Sequence, residues 1–311
     1  VRPVVARRSF LVGASAALAC ARHESAAQGS LHLSSDHVDI VEWDLGAQAW
    51  GRARAAVLIP KWGEPGQRFP VLVALHGRGE ALKSPAEGAL GWARDYALVR
   101  AFERLRAPPL AAADYQGLVE PGHLLATNAR LVREPFAGVI VACPWLPDIR
   151  PAALADVRDY GRFVVGPLLE RVRQDTPALA NPDATGIDGV SLGGVTALRV
   201  GLELPEAFGA VGGIQPALGD APVAEWTALA RAARARRPRL KLRLMTSLED
   251  YFRDSVYSLS RAWGAAGVDH DFADFPGPHD YVFNRGPGSL ELLLWHDRAL
   301  ARGVPALSPS R

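Results

Sequence analysis

Gly189-Val190-Ser191-Leu192-Gly193 constrains this chain more than any other stretch. Ahead of it, Ala184 to Val190 reads as an apolar strand; behind it, Leu192 to Leu204 carries helical periodicity, so Ser191 falls on a strand-to-helix turn. A turn that sharp presses backbone against backbone, and glycines at 189 and 193 remove the Cβ atoms that would collide. The serine hydroxyl is left exposed at the C-terminal edge of a sheet, which is the setting of a G-x-S-x-G nucleophile elbow.

The rest of the chain supplies such a sheet. His37 to Leu45 and Ala55 to Lys61 read as early strands, and Val71 to Leu75 is wholly apolar between Pro70 and His76-Gly77. Strands at Ala137 to Ala142, 184 to 190, Ala210 to Ile214, Leu240 to Thr246 and His270 to Phe275 alternate with helices at 159–174, 192–204, 222–236, 254–266 and 289–301. Pro167 marks an irregularity in the first of these helices. Alternation of this kind argues an α/β fold: a mostly parallel twisted sheet with helices on both faces and an antiparallel edge. No internal repeat or domain-splitting linker appears. About 60 residues separate the strand ending at Leu75 from the one starting at Ala137, where one helix and two short loops suffice. Trp92 to Leu105 reads as that helix, so 79–136 holds a long insert after the third strand, with 107–136 as the surplus. Such an insert either walls a binding site or is a surface elaboration packed on the sheet edge.

Composition narrows the function classes. A formal charge of +2 gives no general attraction for nucleic acid, and the basic cluster Arg231, Arg234, Arg236, Arg237, Arg239, Lys241 and Arg243 reads as a solvated face at a helix end. With only Cys20 and Cys143 there is no disulfide framework, and no Cys/His spacing suggests a metal. Residues 1–28 read as an export segment ahead of a 29–311 catalytic domain: Arg7-Arg8-Ser9-Phe10-Leu11 resembles a twin-arginine signal, with a short apolar region and small-residue cleavage sites after it. The expected location is periplasmic or extracellular, and a further reading makes Cys20, preceded by Ala17-Leu18-Ala19, a lipidated N-terminus.

A nucleophilic serine needs a base, an acid that orients the base, and backbone donors for the oxyanion. In a sheet of this kind their order is Ser, acid, His. Only His270, His279 and His296 follow Ser191; His270 begins a strand at its far end and His296 lies inside the last helix, which leaves His279 in Pro276-Gly277-Pro278-His279. The acid is expected where the preceding strand ends, at Ser247-Leu248-Glu249-Asp250, with Asp250 preferred, Glu249 next, and Asp254 assigned to a helix first turn. Asp280 reads as a loop-capping group. The oxyanion donors are expected to be the N–H of Leu192 and the N–H of Arg78, in His76-Gly77-Arg78-Gly79. His76 reads as a buried histidine holding that loop, the Arg78 side chain as solvated or anion-binding, and Trp145 as either pocket lining or core.

Taken together, Val71 to Gly77, Gly166 to Glu170, Asp183 to Gly194, Ser247 to Asp250 and Gly277 to His279 resemble the esterase D group of α/β-hydrolases, over residues 55–300. That group includes feruloyl, acetylxylan and enterochelin esterases, formylglutathione hydrolases and mycolyltransferases. The resemblance implies carboxylic-ester hydrolysis through an acyl-serine without cofactor or metal, with Ser191, Asp250 and His279 as nucleophile, acid and base. It implies a small-molecule or polysaccharide-linked ester as substrate. The 79–136 segment and the Glu249-Asp250 doublet depart from the group. Acyl transfer and peptide cleavage would use the same triad, and a non-catalytic envelope protein binding through this scaffold is the reading from another class.

Overall fold

Short strands apolar on every side chain can exist only inside a sheet covered on both faces. In the computed structural model, which describes residues 35–150, 153–219 and 222–302, that is where they lie. Eight strands, β1 (Val38–Gln48), β2 (Gly51–Pro60), β3 (Val71–Leu75), β4 (Ile140–Pro144), β5 (Thr185–Gly189), β6 (Ala210–Ile214), β7 (Lys241–Glu249) and β8 (Asp271–Pro278), form one sheet in the order β1-β2-β4-β3-β5-β6-β7-β8. β1 and β2 are antiparallel to their neighbours; β4, β3, β5, β6, β7 and β8 run parallel. Alternation along β3 sends Val71, Val73 and Leu75 into one core and Leu72 and Ala74 into the other.

Single helical turns α1 (Arg78–Ala81) and α2 (Pro85–Ala89) follow β3, then α3 (Leu98–Arg106) and α4 (Pro121–Arg133). α5 (Leu154–Phe163), α6 (Leu169–Asp175), α7 (Leu192–Glu203), α8 (Val223–Arg236) and α9 (Arg253–Ala265) alternate with the later strands, and a short turn α10 (Tyr281–Phe283) precedes α11 (Ser289–Ala299). The helix expected over 92–105 is broken: Gly91–Asp95 is a π-type turn, and Ala97 at φ 55° separates it from α3. The surplus stretch 107–136 contains α4, a helix absent from the sequence reading. Leu125 and Val132 lie on its exposed side while Thr127 and Leu131 are its buried positions, so its apolar residues do not mark a single face, and Pro121-Gly122 at its start reads as a turn. The Pro167 irregularity is a π-type turn between α5 and α6.

The insert belongs to one of the two cores. Leu110, Tyr115, Val119, Leu131 and Phe136 pack with α3, α11 and Phe275 of β8. Tyr115 Oη donates to Glu291 of α11 at 2.8 Å, and His123 Nε2 lies 2.8 Å from the same oxygen.

The basic cluster 231–243 is not a uniform solvated face. Arg243 is buried: its guanidinium meets Asp188 at 2.6 Å and donates to the Glu291 carbonyl at 2.7 Å. As a β7 residue in a parallel sheet, its side chain is carried inward by strand alternation, which the charge count along the chain does not show. Arg234, Arg236, Arg237 and Lys241 are held by carbonyls or acids of neighbouring segments. His296 of α11 completes the buried group, its Nε2 3.1 Å from Asp188 Oδ2. Gly186 and Gly212 make room for it, since a Cβ at either would lie 2.6 Å from His296 Nδ1 or 2.0 Å from Asp188 Oδ2.

Residues 1–28, with Cys20, lie outside the described residues. Among the described residues no helix is long and apolar enough to cross a membrane. Cys143 is buried, which pushes its thiol well above the ordinary range.

Candidate active site

Ser191 occupies φ 58°, ψ −116°, a backbone conformation that side chains rarely adopt. The surroundings hold it there. Ser191 N–H donates to the Ile214 carbonyl at 3.0 Å, and its own carbonyl accepts from Val195 at 3.1 Å and Ala217 at 3.0 Å. The glycines do what a sharp turn demands: a Cβ at Gly193 would lie 2.3 Å from the Leu75 carbonyl oxygen, and one at Gly189 would lie 2.6 Å from the Gly193 backbone. Ser191 stays half-exposed while Leu192 and the rest of the first turn of α7 are buried.

The loop after β3 lies against this turn. A Cβ built on Gly77 would sit 3.7 Å from Ser191 Cβ. Gly77 is the N-cap of α1 and Ser191 that of α7, so Arg78 N–H and Leu192 N–H are both first-turn groups with no intrahelical partner. Among the described residues neither donates to a backbone carbonyl.

His76 is fully buried. Its Nε2 accepts from Leu146 N–H at 2.9 Å, so the ring proton is on Nδ1, which donates to the Gly77 carbonyl at 2.9 Å. Burial lowers its pKa to about 4, against the pull of that carbonyl and of Glu80, and keeps it neutral. The Arg78 side chain is neither free nor purely solvated: it makes a two-pronged pair with Asp148, both contacts 2.9 Å.

Below that loop lies a buried network that the sequence reading missed. Gly77 N–H donates to Tyr96 Oη at 3.0 Å, Tyr96 donates in turn to Glu80 Oε2, and Tyr281 Oη donates to Glu80 Oε1 at 2.7 Å. The β3 loop and the segment just after His279 thus share one buried carboxylate. A glutamate on an amphipathic turn has no pattern that marks it as buried, and its partners are 16 and 201 residues away.

Asp250 and His279 meet. His279 Nδ1 is 2.7 Å from Asp250 Oδ1; the carboxylate side chain is fully buried and the imidazole 14% exposed. Thr246 Oγ1 donates to Asp250 Oδ2 at 2.7 Å and Phe252 N–H to Oδ1 at 3.0 Å, so the carboxylate is fixed at both oxygens by neutral donors. Tyr251 and Phe252 flank the imidazole at ring-centre distances of 5.4 and 5.6 Å. Glu249 is exposed, and Asp254 sits in the first turn of α9. Asp280 caps α10, accepting from Val282 and Phe283 N–H. Trp145 is half-buried against α2, where a Cβ on Gly88 would lie 2.4 Å from its indole. His270, at the far end of β8, bonds to Ser260 and the Val268 carbonyl.

An elbow serine, an Asp–His pair and two first-turn N–H groups with no intrahelical partner thus lie at one sheet edge. Solved structures share the architecture. An S-formylglutathione hydrolase of Staphylococcus aureus matches 85% of this chain and 98% of its own length, with TM-score 0.57 and 15% identity. A ferulic acid esterase matches 85% and 99%, with TM-score 0.64 and 15% identity. A fluorophosphonate-binding serine hydrolase of Staphylococcus aureus, solved with substrate bound, matches 84% and 99%, with TM-score 0.58 and 16% identity. No protein-family model matches the sequence, and none of the curated proteins does. The fold is the α/β-hydrolase fold.

Proposed function

We propose that this protein is a serine hydrolase that cleaves carboxylic esters through an acyl-Ser191 intermediate. The observation that carries the reading is the Asp250–His279 hydrogen bond at the same sheet edge as the Ser191 elbow. With the Nδ1 proton held by Asp250, His279 Nε2 is left as the base that takes the Ser191 proton as Oγ attacks the ester carbonyl. Leu192 and Arg78 N–H groups receive the oxyanion, a role in which each donor typically contributes about 3 kcal/mol of transition-state stabilisation. His279 then returns the proton to the leaving alcohol, and water repeats the sequence on the acyl-serine. Trp145 is assigned to the wall of the acyl pocket. The structural neighbours are esterases and serine hydrolases, which supports the reaction class. A small-molecule or polysaccharide-linked ester as substrate, export by the twin-arginine-like segment 1–28 and anchoring through Cys20 rest on the sequence alone.

The test is turnover of a short-chain p-nitrophenyl ester together with labelling by a fluorophosphonate probe. Wild-type protein is expected to do both, with the label on Ser191, and Ser191→Ala to do neither. Labelling that survives Ser191→Ala, or no turnover and no label in the wild type, overturns the reading.

A further inference from the structure

The direction in which His279 points depends on a distortion of β8. Ser247 pairs with Phe275, but Glu249 pairs with Pro278, so β8 spends one residue more than β7 over this span. Gly277, at φ 117°, absorbs the bulge. A bulge at a strand end re-aims the side chain that follows it, here His279, and something must pin it. On one side the pin is Leu118 of the insert, close enough that a Cβ on Gly277 would lie 2.7 Å from its Cδ1. On the other side it is Gln215.

Gln215 is fully buried and stands at φ 43°, immediately after β6. The preceding carbonyl, Ile214, holds Ser191 N–H, and Gln215 N–H donates to Met245 of β7 at 2.6 Å. Its side-chain Nε2 donates to Ser247 Oγ at 2.6 Å and to the Pro278 carbonyl at 3.1 Å. Ser247 in turn accepts Asp250 N–H on its carbonyl at 3.2 Å. The Gln215 side chain therefore joins the strand ends that carry Asp250 and His279, and the Ile214 carbonyl just before it joins them to Ser191. The amide cannot be turned round, because Pro278 offers only an acceptor and must face the NH2 group. Oε1 is then left buried without a donor among the described residues.

Two costs thus meet at one residue, a left-handed backbone on a non-glycine and an unpaired buried acceptor. A glycine would relieve the first and a methionine the second. Strain retained in this way clusters where geometry is needed for function. We infer that Gln215 is a positioning residue of the Ser191 site, its amide holding the Pro278 carbonyl, and with it the His279 loop, in register with the Ser191 and Asp250 strands. This rests on the serine-hydrolase reading above.

Gln215→Met keeps length and burial and removes the donor. Displacements of about 1 Å in a catalytic group cost on the order of 100-fold, so kcat is expected to fall by about 10- to 100-fold. KM should change less than about twofold, because the substrate contacts are untouched. Fluorophosphonate labelling of Ser191 should slow by the same factor as kcat. Gln215→Asn, which tolerates the left-handed backbone but cannot reach Pro278, should reproduce the loss and covers the case in which the methionine variant fails to fold. In a His279→Ala background Gln215→Met should alter the residual rate by less than about twofold, since a residue acting through His279 has nothing left to position. Wild-type kcat in either folded single variant, or an equal loss in both backgrounds, overturns the inference. A wild type that is never labelled overturns the hydrolase reading beneath it, which is a different result.

Discussion

Among the described residues two aspartate–histidine pairs lie along the sheet, and they have opposite characters. Asp250–His279 sits where β7 and β8 end; Asp188–His296 lies inside the sheet and α11, with contacts of 2.7 and 3.1 Å. At Asp188 the Arg243 guanidinium is the third member, 2.6 Å away. Burial works to raise the Asp188 pKa, but Arg243 and His296 outweigh it and hold the carboxylate below its usual range. Burial lowers His296, and the pull of Asp188 does not recover it. That histidine is neutral, fully enclosed and spent on structure. At Asp250 no guanidinium intervenes: its other partners are a hydroxyl and a backbone N–H, so the carboxylate faces the partly exposed His279 imidazole alone among charged or titratable partners. The third partner and the exposure of the ring, rather than proximity of acid and base, separate the pair to which the proposed mechanism gives the base role from the pair enclosed in the core.

Exchanging each aspartate for asparagine breaks the comparison along this line. Asp250→Asn replaces the carboxylate by a neutral amide that no longer stabilises the imidazolium formed on His279, and esterase kcat is expected to fall by about 10⁴-fold, equivalent to roughly 5 kcal/mol of transition-state stabilisation. Its urea midpoint should barely move. Asp188→Asn strands a buried Arg243, and the loss should appear as about 3–5 kcal/mol of unfolding free energy. Folded Asp188→Asn protein should retain kcat within a few-fold, measured per mole of fluorophosphonate-labelled Ser191. If Asp188→Asn impaired kcat as severely as Asp250→Asn, the distinction would be lost.

The contrast also separates what could be read from the chain. Ser191, His279 and the Asp250 loop were legible because chain order and strand-end position are one-dimensional properties, and a parallel sheet converts them directly into three-dimensional neighbourhood. The strands Val71–Leu75 and Ala210–Ile214 were legible for a similar reason, as short apolar runs between breakers. Arg243 was misread because a charge inside a basic run looks solvated, and its burial is made tolerable by Asp188, 55 residues away, and by the Glu291 carbonyl, both remote in the chain. Glu80 and Gln215 gave no signal: each is a polar residue whose meaning lies in partners on separate segments. Helix α4 went unread because it opens on Pro121-Gly122, a turn signal, and leaves Leu125 and Val132 exposed beside the buried Leu131, which blurs its apolar face.

Acid titration sharpens the comparison from the histidine side. A histidine kept neutral by burial binds its proton in the unfolded chain before it does so in the folded one, so stability is lost as pH falls below the unfolded value. His76 shows this with a definite window, from an ordinary value of 6.5 down to about 4. Across those 2.5 units, at about 1.4 kcal/mol each, it should remove roughly 3 kcal/mol of stability, with no further loss from this group at lower pH. His296 adds a loss of the same sign. His76→Gln can accept from Leu146 N–H and donate to the Gly77 carbonyl through one amide, and it carries no proton to gain. Urea unfolding at pH 7, 5.5 and 4 should therefore show a shallower decline for His76→Gln than for the wild type, while both keep the β3 loop and its labelling of Ser191 at pH 7. Equal slopes would mean that His76 takes up its proton at the same pH in the folded and the unfolded chain, and would overturn the buried acceptor role assigned to its Nε2.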